Sequence, residues 1–95
     1  MGRAENAVET YLHDEVIKRG GTTRKWVSPG RRGVMDRIVF LPQAPVMFVE
    51  VKTLGMGLED HQEREAASLL AVGAHAHITW VAGKAGVDAL LAGYP

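Results

Sequence analysis

The spacing of apolar residues alternates between helical and extended patterns along the chain. Residues 3–19 place an apolar side chain every three or four positions, which is typical of an amphipathic helix, and the glycine pair at 20–21 ends that pattern. The same spacing predicts helices over residues 58–73 and 84–93. Short apolar runs bounded by glycine and proline predict four strands, over residues 22–27, 36–41, 46–52 and 76–82.

The predicted order is therefore α-β-β-β-α-β-α, and 95 residues suffice for one domain over residues 1–95. Three consecutive strands, a crossover helix and a fourth strand predict an α/β fold with a mixed central sheet flanked by helices. The strand over residues 46–52 is apolar on both faces, so we expect it to lie in the interior of the sheet.

Charged residues stand at the ends of two strands that a short turn joins. The turn PQAP, residues 42–45, predicts a hairpin in which paired residues have numbers that sum to about 86 to 88. Asp36 then lies opposite Glu50 or within one or two residues of it, and Lys52 shares a face with Glu50. Burying opposite charges is rarely a route to stability, so this convergence at one end of the sheet calls for a chemical explanation.

Two nearby carboxylates favour a cation between them, and oxygen ligands suit a hard divalent ion such as Mg²⁺. Such an ion polarises a phosphoryl oxygen, while Lys52 holds or deprotonates a water molecule or stabilises developing charge. A simple salt bridge between Lys52 and either acid explains the same residues. Gln62 begins an apolar stripe that continues through Ala66, Leu69 and Leu70, which predicts that it points toward the strand ends rather than into solvent.

The formal net charge is zero, but its distribution is uneven. Residues 18–37 contain seven basic residues and one acid, a net charge of +6, whereas the rest of the chain carries −6. Such segregation favours contact with a polyanion, although a solvated loop is the simpler alternative. Trp26 stacks on an unpaired base or, as a strand residue, packs in the core, which we favour. The candidate DNA-binding residues are Arg24, Lys25, Arg31, Arg32 and Arg37.

Several protein classes are disfavoured. The chain has no cysteine and therefore no disulfide framework, and no apolar run is long enough to cross a membrane. The first ten residues lack the apolar region of a signal peptide. We therefore expect a cytoplasmic protein whose small core gains stability from a second subunit.

Three motifs in order carry a family resemblance. Asp36, thirteen intervening residues and then Glu50-Val51-Lys52 fit the D…(D/E)-x-K pattern of restriction-endonuclease-like nucleases. SPGRRGVMDRIVFLP, VMFVEVKTLG and LEDHQERE together resemble the VRR-NUC family of virus-type replication-repair nucleases over nearly the whole chain. The resemblance implies a restriction-endonuclease-like core, DNA hydrolysis with Mg²⁺ or Mn²⁺, and homodimers that act on branched or four-way DNA like Holliday-junction resolvases.

The resemblance also assigns roles to matched residues. Asp36, Glu50 and the backbone carbonyl of Val51 become metal ligands, and Lys52 becomes a catalytic residue. Gln62 matches the helix glutamine that supports the site. The implied products carry 5′-phosphate and 3′-hydroxyl ends. The length of the resemblance suggests a stand-alone domain of the phage or bacterial kind, which we expect in the cytoplasm of the host cell if it is phage-encoded.

The family also has a glutamate on the first helix. Glu5 is our preferred match, with Glu9 as the rival, since the two share a helix face. Met35 departs from the family, which usually has proline before the aspartate, so the backbone there is less restrained. Two other functions stay open: a non-catalytic DNA-binding module on the same fold, and a dimerisation or scaffold domain.

Overall fold

The computed structural model describes residues 3–31, 33–73 and 77–95. Its elements follow the predicted order, and each lies within two residues of its predicted ends. None of the described helices is long and apolar enough to cross a bilayer. The elements are α1 (Arg3–Lys18), β1 (Thr22–Lys25), β2 (Arg37–Phe40), β3 (Met47–Lys52), α2 (Asp60–Ala71), β4 (His77–Ala82) and α3 (Gly83–Leu91).

The four strands form one mixed sheet in the order β1-β2-β3-β4. The first three strands are antiparallel neighbours, and β4 runs parallel to β3 after the crossover through α2. As predicted, β3 lies in the interior of the sheet, and most of its residues are buried. The fold is the α/β fold with a mixed central sheet and flanking helices that the sequence predicts.

The apolar core lies on one side of the sheet, beneath α1 and α3. Burying a valine or leucine side chain there contributes about 1.5 to 3 kcal/mol. Among the described residues, α2 contributes none to this core. We call this side of the sheet the core face. Its cluster consists of Val8, Leu12, Val16, Val39, Leu41, Met47, Val49, Val51, Val81, Val87 and Leu91.

The opposite side, which we call the second face, carries the alternate residues of β3. Side chains of a strand alternate between faces, so Phe48, Glu50 and Lys52 point away from the core. Helix α2 turns toward this face with two buried polar residues, Gln62 and Glu65. The second face is therefore built from polar contacts as well as apolar ones.

The predicted apolar stripe of α2 is wrong at its far end, where Leu70 is 46% exposed. Eight residues at about 100° each place Leu70 roughly 80° away from Gln62 around the helix axis. The side chain consequently leaves the buried face, whereas Ala66 and Leu69 stay half-buried.

Met35 and Trp26 both pack against other parts of the fold. Met35 is fully buried, so it is a core residue although it directly precedes Asp36. The Trp26 ring is half-buried and lies 5.0 Å from the Phe48 ring, between centroids, so it packs on the second face and is not part of the core-face cluster.

Only glycine fits at position 21, between α1 and β1. A Cβ atom on Gly21 would lie 2.1 Å from the backbone oxygen of Phe40. The absence of a side chain lets β1 pair closely with β2 immediately after the first helix.

Candidate active site

The hairpin of β2 and β3 aligns the two acids as predicted. Arg37 pairs with Val49, so one further step places Asp36 opposite Glu50, with residue numbers that sum to 86. The backbone N–H of Val51 donates a hydrogen bond of 2.9 Å to Asp36 Oδ2. Asp36 is thereby fixed against the neighbouring strand although it precedes β2.

Glu50 is 5% exposed and has two different carboxylate oxygens. Oε2 accepts a hydrogen bond of 2.6 Å from Gln62 Nε2 and lies 3.4 Å from Lys52 Nζ. Oε1 is buried and accepts no hydrogen bond within the described part of the chain. Leaving a buried acceptor unpaired costs about 1 to 3 kcal/mol, so this atom is directed at something other than the fold.

The electrostatic environment disfavours two negative charges at this site. Burial and the nearby Asp36 charge raise the pKa of Glu50 to about 7, although Lys52 and Gln62 act in the opposite direction. Burial also raises the pKa of Asp36, and the charges of Glu9 and Glu5 add to that effect. The hydrogen bond from Val51 and the charge of Lys52 oppose it. An additional positive charge nearby would therefore stabilise the ionised form of both carboxylates.

Gln62 links the first turn of α2 to the site. Its Nε2 donates to Glu50, and its Oε1 accepts a hydrogen bond of 2.9 Å from the backbone N–H of Glu59. The side chain is 8% exposed, so Gln62 points inward as predicted. The amide therefore satisfies a helix-terminal donor and orients a carboxylate at the same time.

The two candidate acids of α1 have different surroundings. Glu9 is 3% exposed, and its Oε1 lies 2.6 Å from Arg37 Nε and 3.5 Å from Lys25 Nζ. Glu5 is half-buried one turn earlier and is close enough to raise the pKa of Asp36. The Lys25 and Arg37 side chains thus balance the negative charge of Glu9. The choice between the two acids as metal ligands stays a prediction.

The donor set suits a hard divalent cation. Asp36 and Glu50 supply carboxylate oxygens, one of them buried without a partner, as Mg²⁺ and Mn²⁺ prefer. Within residues 3–31, 33–73 and 77–95, no group of three or more His, Cys, Asp or Glu side chains is arranged to hold an ion. A cation would therefore need further ligands, such as the Val51 carbonyl and water.

The predicted DNA-binding residues are distributed over two regions. Arg24 lies on the edge strand β1 and is exposed. Arg37 is largely enclosed by its ion pair with Glu9, at 18% side-chain exposure. Lys25 and Arg31 keep 61% and 58% of their side chains exposed while pairing with Glu9 and Glu65, respectively. Arg32 lies outside the described residues, and DNA contact by the set stays a prediction.

Sequence reasoning missed Glu65 as a residue near the site. It is 6% exposed and accepts two hydrogen bonds from Arg31, at 3.0 Å from Nε and 2.6 Å from the terminal nitrogen. Its position three residues after Gln62 places it on the same helix face, which is the signal available in the sequence.

Comparison with known proteins agrees with this geometry. No protein-family model matches the sequence. The chain is 49% identical over 69 residues to a protein of Acyrthosiphon pisum secondary endosymbiont phage 1 that is named "Putative nuclease p44", a match that spans 73% of this chain and 74% of the phage protein. A solved structure described as a VRR-NUC domain matches it with a TM-score of 0.85 and 32% identity, over 99% of this chain and 100% of that one.

The chain belongs to the VRR-NUC family of nuclease domains. The resemblance of its motifs is thereby confirmed. The VRR-NUC fold brings Asp36, Glu50, Lys52 and Gln62 to one end of the sheet, and their individual roles are a matter for proposal.

Proposed function

We propose that this VRR-NUC domain hydrolyses phosphodiester bonds of DNA with Mg²⁺ or Mn²⁺. The observation that carries the proposal is the buried, unpartnered Oε1 of Glu50 beside Asp36 and Lys52. An acid pair and an amine held together at a sheet end match the needs of phosphoryl transfer, where negative charge accumulates. The name of the phage relative supports a nuclease, and the acid pair supports the metal.

Asp36, Glu50 and the Val51 carbonyl would hold the cation, with Glu5 as the α1 contribution. Glu9 is the weaker candidate because Arg37 and Lys25 already match its charge. The cation, when bound, polarises a phosphoryl oxygen and lowers the pKa of nearby water.

Lys52 acts at the reacting phosphate. The residue is 8% exposed and its ammonium lies 3.4 Å from Glu50 Oε2, so it holds the attacking water or neutralises charge on the phosphoryl oxygens. The water oxygen forms a bond to phosphorus, the bond from phosphorus to the 3′-oxygen breaks, and the leaving oxygen takes up a proton. The products carry 5′-phosphate and 3′-hydroxyl ends, and Gln62 keeps the Glu50 carboxylate oriented.

A cleavage assay tests the proposal. Linear, flap and four-way DNA are incubated with the protein and Mg²⁺, Mn²⁺ or EDTA, and Lys52→Ala is compared with Lys84→Ala, which removes a charge from α3. We expect cutting that requires the metal, is abolished by Lys52→Ala and is unchanged by Lys84→Ala. Equal rates in wild type and Lys52→Ala would refute the role of that lysine.

Metal binding has a readout independent of cutting. Isothermal titration of Mn²⁺ should give binding to the wild-type protein and markedly weaker binding to Asp36→Asn and Glu50→Gln. Equal affinity in all three proteins would remove the acid pair as the cation site.

We also propose that the protein acts as a homodimer and prefers branched DNA. Phe40 and Trp80 lie on the second face, on strands that β3 separates, and are 40% and 42% exposed; a second copy would cover exposed apolar side chains of this kind. Two copies would offer two active sites to two strands, which suits a four-way junction. Light scattering should give the mass of a dimer, and the DNA panel should show faster cutting of branched substrates. A monomer that cuts linear DNA equally well would remove this part alone.

The alternative is a non-catalytic DNA-binding module. It predicts salt-dependent binding with no cut under any metal. The acid pair is unfavourable for such a module because negative charge near the phosphate backbone weakens binding.

A further inference from the structure

A polar cavity that is separate from the candidate active site lies between the loop that precedes β2 and one face of α2. Its volume is about 500 Å³, and it does not include Asp36, Glu50 or Lys52. Two arginines, a histidine and a serine give it several hydrogen-bond donors. Its lining residues are Gly30, Arg31, His61, Arg64, Glu65 and Ser68.

Arg31 is held in a fixed position at the wall of this cavity. Its Nε and one terminal nitrogen donate to the same oxygen of Glu65, which is itself 6% exposed. A guanidinium has five N–H donors, so this geometry leaves three of them for other acceptors. Because the buried carboxylate already restrains the side chain, a ligand would not have to restrain it on binding.

Close packing at Gly33 keeps the loop against α2. A Cβ atom on Gly33 would lie 2.6 Å from the backbone oxygen of His61 and 3.1 Å from the Glu65 Cβ, and the φ angle of +84° also favours glycine. Three residues later the same chain reaches Asp36. The loop that carries Arg31 therefore also carries a carboxylate of the active site.

Helix α2, which forms the other wall of the cavity, also carries a residue that contacts the active site. Gln62 contacts Glu50, and the cavity residues of α2 all lie within about 9 Å of helix rise from it. Successive charges of one DNA strand are separated by about 3.4 Å along the duplex axis, so this distance corresponds to two or three phosphates. The cavity thus lies within a few nucleotides of the bond to be cut.

The charges of the cavity suit a phosphate. Glu65 is the single acid of its lining and is matched by Arg31, so the Arg64 guanidinium adds positive charge that no acid of the lining offsets. The Ser68 hydroxyl adds a neutral donor on the same face of α2, one turn after Arg64. Arginine forks bind phosphate oxygens in pairs, and neutral donors complete such sites.

We propose that this cavity, through Arg31, Arg64 and Ser68, binds a backbone phosphate of the DNA that flanks the phosphodiester to be cut. The proposal rests on the nuclease function proposed above and adds a binding site outside the acid cluster. It predicts that the cavity contributes to affinity for DNA without regard to base sequence.

Binding measurements in a Lys52→Ala background test the cavity without cleavage. Fluorescence anisotropy with labelled duplex and four-way DNA is followed over a salt series for Arg64→Ala, Ser68→Ala and the control Lys84→Ala. Lys84 lies on α3, 5.4 Å from the centre of the Tyr11 ring, and is a matched loss of one positive charge. Circular dichroism establishes that each variant is folded.

We expect Arg64→Ala to weaken binding about fivefold and to lower the slope of log affinity against log salt by about 0.9. Ser68→Ala should weaken binding about twofold without changing the slope, because it removes a neutral donor. Arg64→Lys should restore the slope. Lys84→Ala should match the background protein in both quantities.

The outcomes separate this proposal from the nuclease proposal. If Arg64→Ala binds with unchanged affinity and slope while the wild type cuts DNA, the cavity proposal is wrong and the nuclease proposal stands. If Arg64→Ala shows the expected loss but no DNA is cut under any metal, the cavity binds DNA and the nuclease proposal fails. If the background protein binds no DNA and the wild type cuts none under any metal, both proposals fail.

Discussion

Helices α1 and α2 bury different sets of side chains. Besides the acid Glu9, helix α1 buries Val8, Leu12 and Val16, which belong to the apolar core, whereas the buried residues of α2 are Gln62 and Glu65. Both helices have the amphipathic spacing of a surface helix in the sequence. Helix α1 therefore contributes apolar burial to the fold, whereas α2 is held by polar contacts, one of them to Glu50 of the candidate active site.

This contrast predicts that substitutions on the two faces of the sheet have different effects. Substitutions on the core face should change the free energy of unfolding with little specific effect on the reaction. Substitutions of the polar contacts on the second face should change activity or DNA binding and leave much of the stability intact. The following predictions examine that separation, from the largest effect to the smallest.

Glu50→Gln should reduce the cleavage rate about a thousandfold, because it removes one of two negative charges that attract the cation. Single-turnover cleavage in saturating Mn²⁺ measures the effect. Glu63→Gln, which makes the same change on the exposed side of α2, should keep the wild-type rate. A rate for Glu50→Gln within tenfold of wild type would contradict the assignment.

Leu12→Ala should lower the free energy of unfolding by about 3 kcal/mol, because Leu12 is fully buried and leaves a cavity in the core. Leu70→Ala, the matched change on α2 where the side chain is 46% exposed, should cost about 0.5 kcal/mol. Urea titration measures both. Equal losses would show that α2 supports the fold as much as α1 does.

Gln62→Ala should reduce cleavage about tenfold to a hundredfold, since Glu50 would lose the donor that orients it. The affinity for Mn²⁺ should also fall. Ala66→Gly on the same helix tests whether a local loss of helix stability reproduces the effect, which we expect it not to do. If both variants lose activity equally, Gln62 acts through the helix and not through Glu50.

Glu50→Gln should stabilise the metal-free protein at high pH. The folded pKa of about 7 lies above the ordinary value of 4.5, so between these values the unfolded chain releases its proton first and wild-type stability falls as pH rises. The variant has no ionisable group at position 50, so its stability does not fall for this reason. Its advantage should grow from near zero below pH 4.5 to on the order of 2 kcal/mol above pH 7. Urea titrations in EDTA across this range measure the difference, and parallel pH profiles would contradict it.

The sequence was most informative where short-range geometry decides the outcome. The turn at residues 42–45 determined the hairpin register, and the register placed Asp36 opposite Glu50. Alternation along β3 placed Lys52 beside Glu50. These relations depend on residues that are close in the chain, so pattern and turn length suffice to predict them.

Ion pairs between distant elements could not be predicted in the same way. The pairs of Glu9 with Arg37 and of Arg31 with Glu65 join residues that are 28 and 34 positions apart. Spacing identifies the face of a helix, but the rotation and depth of that helix against the sheet decide which acid meets which arginine. The exposure of Leu70 has a different cause, because its angle of roughly 80° from Gln62 around the helix axis follows from helix geometry and could have been worked out from the spacing.

One amide group joins the start of α2 to Glu50. Gln62 accepts from the Glu59 backbone and donates to the carboxylate, so fraying of the first helical turn would release both partners in a single event. Hydrogen exchange at the Glu59 amide should therefore report how often the carboxylate is free to reorient. A cation that holds Glu50 in place would slow exchange at a backbone position that it never touches.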